Sequence, residues 1–383
     1  MECEQLFKVL ENSEKEYLDT LQEACNIESP TAFKEGVDKV GKFFMEIAKK
    51  HGWEIEILPQ KVSGDAICIT MNPNAKGKKV CLSGHMDTVF PVGMFGSPAV
   101  KRDEEKMYGP GVLDCKGGIV AAIMAMDGLE KCNFSERPIE LILQSDEENG
   151  SESSNKETIK YMCKKAETAE FFLNLEGYIK DSAVLGRKGI RQYRFNVKGK
   201  AAHSSRCYSG ASAVLEAAHK IIPLEEFKDE ETVTCNCGVI NGGTVANSVA
   251  EDCFFTADFR FKTNEQMEFI DKKVKEIAQN NTVKGCSCTI DVINTRPAME
   301  ITEKNLKLLE KMNKVYKENS MPILDVRFST GGSDAAYITQ MGIPCVDSLG
   351  TSGGFIHSTD EFIYLNSLLE SAKRIASLIW CIK

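Results

Sequence analysis

Three of the chain's five histidines stand in loop-like, Gly- or Ser-rich surroundings that suit chemistry better than packing. His85 follows the apolar run Val80–Leu82 through Ser83-Gly84, in Gly84-His85-Met86-Asp87-Thr88. In an open α/β sheet, ligands collect at the carboxyl ends of the strands. An imidazole there can hold a metal, and Asp87, two positions on, can accept the other ring N–H and fix the tautomer. A single His-x-Asp reads equally as a capped loop histidine. Asp114 stands in Gly109-Pro110-Gly111-Val112-Leu113-Asp114-Cys115-Lys116-Gly117-Gly118, just before an apolar helical run. A carboxylate on such a turn can bridge two cations, or can simply cap the helix. Lys116 could meet a phosphate, but the glycine-to-Gly-Lys-Ser/Thr spacing of a P-loop is absent.

Asp146-Glu147-Glu148-Asn149-Gly150 follows the apolar run Ile139–Leu143. Three carboxylates at a strand end are costly unless paired or metal-bound. Taken alone, the triplet reads more plainly as an exposed acidic turn. Neighbouring side chains on extended backbone point opposite ways, so one glutamate could coordinate metal while the other faces a water. Glu176 follows Phe171–Leu175, and His357 lies in Gly353-Gly354-Phe355-Ile356-His357-Ser358-Thr359-Asp360-Glu361, before the last helix. Each signal is weak by itself. Together His85, Asp114, Glu148, Glu176 and His357 offer imidazole and carboxylate donors from loops beside strands and helices. That set suits Zn2+ or a similar divalent ion, and its carboxylate share suits a pair of ions sharing one bridge. His51, at a helix end, and His219, inside a helix, read as structural or solvated. Cys235-Asn236-Cys237 and Cys286-Ser287-Cys288 form a rival thiolate set. However, zinc ribbons favour Cys-x-x-Cys, and packing on one strand face explains these pairs more simply.

These donors need a scaffold. The first ~50 residues read as helices, with apolar residues at helical spacing and a stop at His51-Gly52. Ala66–Met71, Val80–Leu82, Ile139–Leu143 and Phe171–Leu175 read as strands, and Gly117–Leu129 as a buried helix. Continuous apolar strands alternating with helices indicate a mostly parallel sheet flanked by helices, an α/β fold. Arg191–Val197, Ser212–Ile222, Thr232–Ile240, Cys253–Phe261, Glu265–Gln279 and Cys288–Val292 follow in the order β-α-β-β-α-β, a ferredoxin-like α+β unit. Helix and strand signals of the first kind return after Pro297, at Asn305–Lys317, Pro344–Ser348 and Leu365–Trp380. The expected organisation is residues 1–186 and 298–383 as one domain, interrupted by 187–297.

Composition narrows the partners. The chain has 383 residues, of which 42% are hydrophobic and 27% charged, and a net charge of −9. That is globular composition with ample chain for a large core. The acidic balance argues against nucleic acid or an anionic membrane as partner. No run of ~20 apolar residues supports a spanning helix. Met1-Glu2-Cys3-Glu4 has neither the basic start nor the apolar run of a secretory signal. The 15 cysteines, odd in number and scattered, read as reduced thiols in a cytoplasmic protein.

The Gly84–Val89 segment, the Gly109–Gly118 turn, Asp146-Glu147-Glu148 with Gly150, and the late Gly-rich segment with His357 resemble, in order and spacing, the dinuclear-zinc exopeptidase and deacylase family. That family includes bacterial glutamate carboxypeptidase, acetylornithine deacetylase, succinyl-diaminopimelate desuccinylase and aminoacylase. The resemblance spans nearly the whole chain, and the Gly109–Gly118 turn is most similar to the glutamate carboxypeptidase group. It implies that His85 and Glu176 bind one zinc, Glu148 and His357 the other, and that Asp114 bridges them. Co2+ or Mn2+ are implied as substitutes. It further implies that Asp87 orients His85, that Glu147 is the general base, and that the Asp114–Cys115 bond is cis. The inserted domain becomes a lid and dimerisation domain, making the protein a homodimer. His203, in Gly199-Lys200-Ala201-Ala202-His203, would stabilise the oxyanion. Asn247 and Arg260 would hold the substrate, an arginine fork suiting a carboxylate. Gly331-Gly332-Ser333-Asp334 would line the substrate side. The activity implied is hydrolysis of a small peptide or N-acyl amino acid with a free carboxylate. Carboxypeptidase and deacylase readings both stand. A non-catalytic metal- or peptide-binding relative would lack the base or a ligand, and none is missing here.

Overall fold

The computed structural model describes residues 3–178 and 180–382, so the Met1-Glu2 start lies outside the described residues. The chain divides into two compact units, Met1–Leu185 with Ile301–Phe328 and Tyr337–Lys383, and Gly186–Glu300 with Ser329–Ala336.

The first unit opens with α1 (Glu4–Asn26), α2 (Lys34–His51), β1 (Glu54–Leu58), β2 (Ala66–Met71) and β3 (Val80–His85). It continues with β4 (Lys101–Arg102), β5 (Lys106–Tyr108), α3 (Lys116–Lys131), β6 (Ile139–Gln144), α4 (Glu157–Ala166) and β7 (Phe171–Asn174), and β8 (Ser182–Arg187) spans the boundary to the second. The second unit holds β9 (Gly189–Lys198), α5 (Ala213–Leu224), β10 (Thr234–Gly242), β11 (Asp252–Phe261), α6 (Asn264–Gln279) and β12 (Ser287–Arg296). Then follow α7 (Glu303–Glu318), β13 (Asp325–Ser329), α8 (Ala335–Gln340), β14 (Cys345–Val346), β15 (Gly353–Gly354), β16 (Phe362–Tyr364) and α9 (Asn366–Cys381).

The main sheet runs β1-β2-β6-β3-β7-β14. β6, β3, β7 and β14 are parallel, whereas β2 pairs antiparallel with both β6 and β1. Every residue of β3 and β7 is buried, which is why these strands read as unbroken apolar runs with no alternation. α3 is buried from Lys116 to Leu129 and packs on α1, α9 and β3. Gly118 lets α3 approach: a Cβ there would lie 2.1 Å from the Leu175 carbonyl oxygen, in the segment leading to Glu176. α2 buries Val37, Val40, Phe44 and Ala48 along one stripe. It stops at Gly52, whose φ of 71° is the left-handed cap conformation.

In the second unit the sheet order is β10-β11-β9-β12, antiparallel throughout. With the βαββαβ chain order this is the ferredoxin-like arrangement that the sequence predicts. β11 alternates strictly, burying Cys253, Phe255, Ala257, Phe259 and Phe261 in a core of its own with residues of α5 and α6. A capping box between Thr263 and Gln266 starts α6.

One expected boundary differs, and one small sheet is new. Residues 329–336, expected in the domain 298–383, cluster with the inserted unit. The Arg187 guanidinium donates to the Gly331 carbonyl at 3.3 Å and Lys188 N–H to the Ser329 carbonyl at 3.1 Å, and such long-range bonds leave no local signature. A small antiparallel sheet, β15-β16-β5-β4, was not anticipated, because strands of two or three residues carry no period. The Cys-x-Cys pairs sit at β10 and β12, the opposite edges of their sheet, so they do not meet. No disulfide joins the described cysteines, and Cys207 is exposed. No helix among the described residues is long and apolar enough to cross a membrane.

Candidate metal centre and active site

Parallel strands deliver most of the predicted donors to one end of the main sheet. His85 is the last residue of β3. Glu147 and Glu148 follow β6, and Glu176 lies two residues beyond β7. Asp114 precedes α3, and His357 sits between β15 and β16 with φ of 61°. His85 Nε2 lies 3.0 Å from Asp114 Oδ1 and 3.8 Å from Glu176 Oε1. His357 Nε2 lies 3.1 Å from both Asp114 Oδ2 and Glu148 Oε2. The two oxygens of Asp114 thus face the two histidines, with Glu176 on one side and Glu148 on the other. The Asp114–Cys115 peptide bond is cis, as the resemblance implies.

Electrostatics mark the cluster as short of positive charge. Burial, then the Asp114 charge, pushes Glu176 well above the carboxylate range. Burial raises Glu148 to about 7 despite its bond to His357. Asp114 is also pushed up by burial, but hydrogen bonds from His357 and His85 outweigh this and hold it well below its usual value. Those same bonds to Asp114 and Glu148 raise His357 to about 10. Among the described residues, Asp114, Glu148 and Glu176 have only these histidines as ion-pair partners. Imidazole and carboxylate donors this crowded, with no lysine or arginine paired to them, fit a divalent cation pair.

Asp87 does more than the sequence suggests. Its backbone carbonyl oxygen lies 3.0 Å from His85 Nδ1, closer than its carboxylate at 3.4 Å. The buried carboxylate accepts the N–H groups of Glu147 and Glu148, each at 3.2 Å, and the Thr31 hydroxyl at 2.7 Å. It therefore fixes the turn that carries both glutamates. That turn is a 3-10 helix, Glu147–Asn149, and not the extended backbone expected. The two glutamates diverge by helical rotation and not by pleat alternation.

Glu361 was missed. It is 1% exposed, and its Oε1 accepts the N–H groups of Leu113 at 2.9 Å and Asp114 at 3.2 Å. It stands 247 positions from Asp114, so no local pattern points to it. Burial, then the Asp114 charge, pushes it up to about 8. Lys116 is no phosphate ligand. Its buried ammonium donates to the Ile27 and Ala24 carbonyls at 2.9 and 3.4 Å, closing the end of α1.

The remaining predicted residues belong to the second unit. His203 is exposed, and its Nδ1 accepts the Ser205 N–H at 3.2 Å. The next N–H, of Ser204, donates to the Asn247 carbonyl at 2.9 Å, so His203 and Asn247 stand side by side. Arg260, on β11, pairs with Asp258 through Nε at 2.7 Å and Nη2 at 3.2 Å. Gly331 is exposed and Gly332 half-buried. The largely buried Arg187 and Arg296, which the sequence reading did not single out, flank that loop.

Comparison with known proteins agrees with this picture. The chain is 28% identical to carboxypeptidase G2 of Pseudomonas sp. (strain RS-16) over 382 residues, covering 98% of this chain and 91% of that protein. It is 25% identical to the succinyl-diaminopimelate desuccinylase of Rickettsia akari, covering 92% and 96%. The aminopeptidase PepT structure from Bacillus cereus shares the fold with a TM-score of 0.75 at 22% identity, covering 96% and 98%. The family described as peptidase family M20/M25/M40 matches residues 81–380. The chain belongs to that family, and is an enzyme of its metal-dependent peptidase and amide hydrolase kind.

Proposed function

We propose that this enzyme is a dinuclear carboxypeptidase that releases a C-terminal amino acid such as glutamate from a peptide or N-acyl amino acid. The observation that carries the reading is the gathering of His85, Asp114, Glu148, Glu176 and His357 around two shared Asp114 oxygens, with Glu147 beside Glu148. His85 and Glu176 would hold one Zn2+ and Glu148 and His357 the other, with Asp114 shared between them, and Co2+ or Mn2+ would substitute. When bound, such ions polarise a carbonyl and lower the pKa of water.

The chain's own groups do the rest. The Glu147 carboxylate takes a proton from the attacking water as its oxygen bonds to the amide carbon. The same carboxylate passes that proton to the departing nitrogen as the C–N bond breaks, giving a carboxylate and an amine. Asp87 keeps Glu147 in place through its bond to the Glu147 N–H. His203 donates to the developing oxyanion. Arg260 and Asn247 hold the substrate's terminal carboxylate, and Gly331 and Gly332 line the approach. The inserted unit serves as lid and as the surface of a homodimer. The odd, scattered cysteine count supports a cytoplasmic location.

Similarity to a desuccinylase supports a second reading, N-acyl amino acid deacylation by the same groups. A panel of acyl-glutamates, acetyl-amino acids and dipeptides, run with wild type and Glu147→Gln and with metal counted in both, tests the proposal. Cleavage by wild type alone, with metal retained in both, supports it, and the best substrate separates carboxypeptidase from deacylase. A wild type that binds no metal overturns it.

A further inference from the structure

His51 read as structural or solvated in the sequence, yet it closes a second set of metal-type donors. It is the last residue of α2, and α3 offers Asp127 and Glu130 one turn apart on one face. His51 Nδ1 lies 2.7 Å from Glu130 Oε2 and 3.9 Å from Asp127 Oδ1. The other oxygen of each carboxylate already accepts a hydrogen bond. Trp53 Nε1 donates to Glu130 Oε1 at 3.1 Å, and Lys131 Nζ to Asp127 Oδ2 at 2.7 Å. The Asp127 side chain is only 3% exposed, and among the described residues its Oδ1 accepts no hydrogen bond of ordinary geometry. The buried Tyr17 phenol, raised by burial and then by the Asp127 charge, faces the same carboxylate. The His51 ring is stacked on Trp53 with centroids 4.4 Å apart.

We propose that His51 Nδ1, Asp127 Oδ1 and Glu130 Oε2 form a further Zn2+ site. Tetrahedral zinc with bonds of about 2.0–2.2 Å wants donors about 3.3–3.5 Å apart, and the observed 2.7 and 3.9 Å bracket that spacing. Zinc takes the place of the proton on Nδ1. One lysine beside two carboxylates leaves a negative charge that the cation compensates. The Trp53 hydrogen bond already aims the Glu130 carboxylate, as outer partners do in zinc sites. Glu130, 38% exposed, opens the fourth position to water. The site lies toward the opposite end of α3 from Asp114, about 16–21 Å along the helix from Lys116 at 1.5 Å per residue. It is therefore independent of the His85–His357 cluster and of the activity proposed for it.

The experiment counts zinc per chain in wild type, His51→Gln and Glu130→Gln after equilibration with Zn2+ at neutral pH. The wild type should carry one zinc more than each variant. Glu130→Gln keeps an oxygen for Trp53, so it carries the count if His51→Gln fails to fold. A second readout uses a Trp380→Phe background, in which Trp53 is the sole remaining indole of the two tryptophans. Saturable quenching of its emission by Cu2+ should vanish when His51→Gln or Glu130→Gln is added. Equal zinc counts in all three proteins, or quenching unchanged in both variants, would overturn the proposal.

Discussion

Glu361 offers a sharp test of how the Asp114 turn is held. Its Oε1 is the acceptor for two buried N–H groups, those of Leu113 and Asp114. Glu361→Ala orphans both donors, at about 1–3 kcal/mol each. The expected loss is roughly 2–6 kcal/mol, a large part of the ~5–15 kcal/mol that holds a typical domain. Glu361→Gln keeps an oxygen in place and removes only the charge. That charge is a liability, because burial and Asp114 push the Glu361 carboxyl up to about 8 in the metal-free protein. Since the folded-state value is raised, the folded chain holds a proton that the unfolded chain releases near 4.5. This stabilising contribution is complete below about 4.5 and is lost as pH rises through about 8. Glutamine does not titrate, so Glu361→Gln should gain on wild type between pH 5 and pH 8. Urea unfolding of the three chelated proteins at both pH values measures this. If Glu361→Gln falls as far as Glu361→Ala, or its difference from wild type stays flat between the two pH values, the acceptor argument is wrong.

Glu147→Gln should keep its metal and lose about 10²–10⁴ in kcat, read by steady-state kinetics beside a metal count. His203→Ala should lower kcat by about 10²–10³ with little change in KM, as removal of an oxyanion donor does; a change confined to KM would reassign His203 to ground-state binding. Gly118→Ala should cost stability by about 1–3 kcal/mol or more, since its Cβ would meet the Leu175 carbonyl oxygen at 2.1 Å. The displaced segment carries Glu176, so metal affinity should fall together with the unfolding midpoint.

How much of this was legible follows from the range over which each interaction acts. The parallel strands were readable because burial on both faces removes alternation, a local pattern. The βαββαβ unit was readable because β11 alternates cleanly from Cys253 to Phe261. The five residues gathered around Asp114 were readable as candidates because each stands beside a strand, a helix or a glycine-rich turn where the chain must bend. What failed was everything set by distant backbone bonds. Glu361 pins Leu113 and Asp114 from the far end of the sequence, Arg187 draws in residues 329–336, and β15-β16-β5-β4 joins segments some 250 residues apart.

The two donor clusters sharpen that point, because both end on α3. Its N-terminal approach carries Asp114, and its last turns carry Asp127 and Glu130. Around Asp114 the acids outnumber the available cationic groups, and burial raises Glu148 and Glu176 toward neutrality unless positive charge is supplied. At the other end Lys131 already pairs with Asp127, so one ion at most is called for. Charge compensation, more than residue type, therefore sets the expected stoichiometry at each end. Neutralising Lys131 as Lys131→Met should tighten Zn2+ at the His51 cluster and leave the Asp114 cluster unchanged. A zinc titration in which both clusters shift together, or in which the His51 cluster weakens, would refute that account.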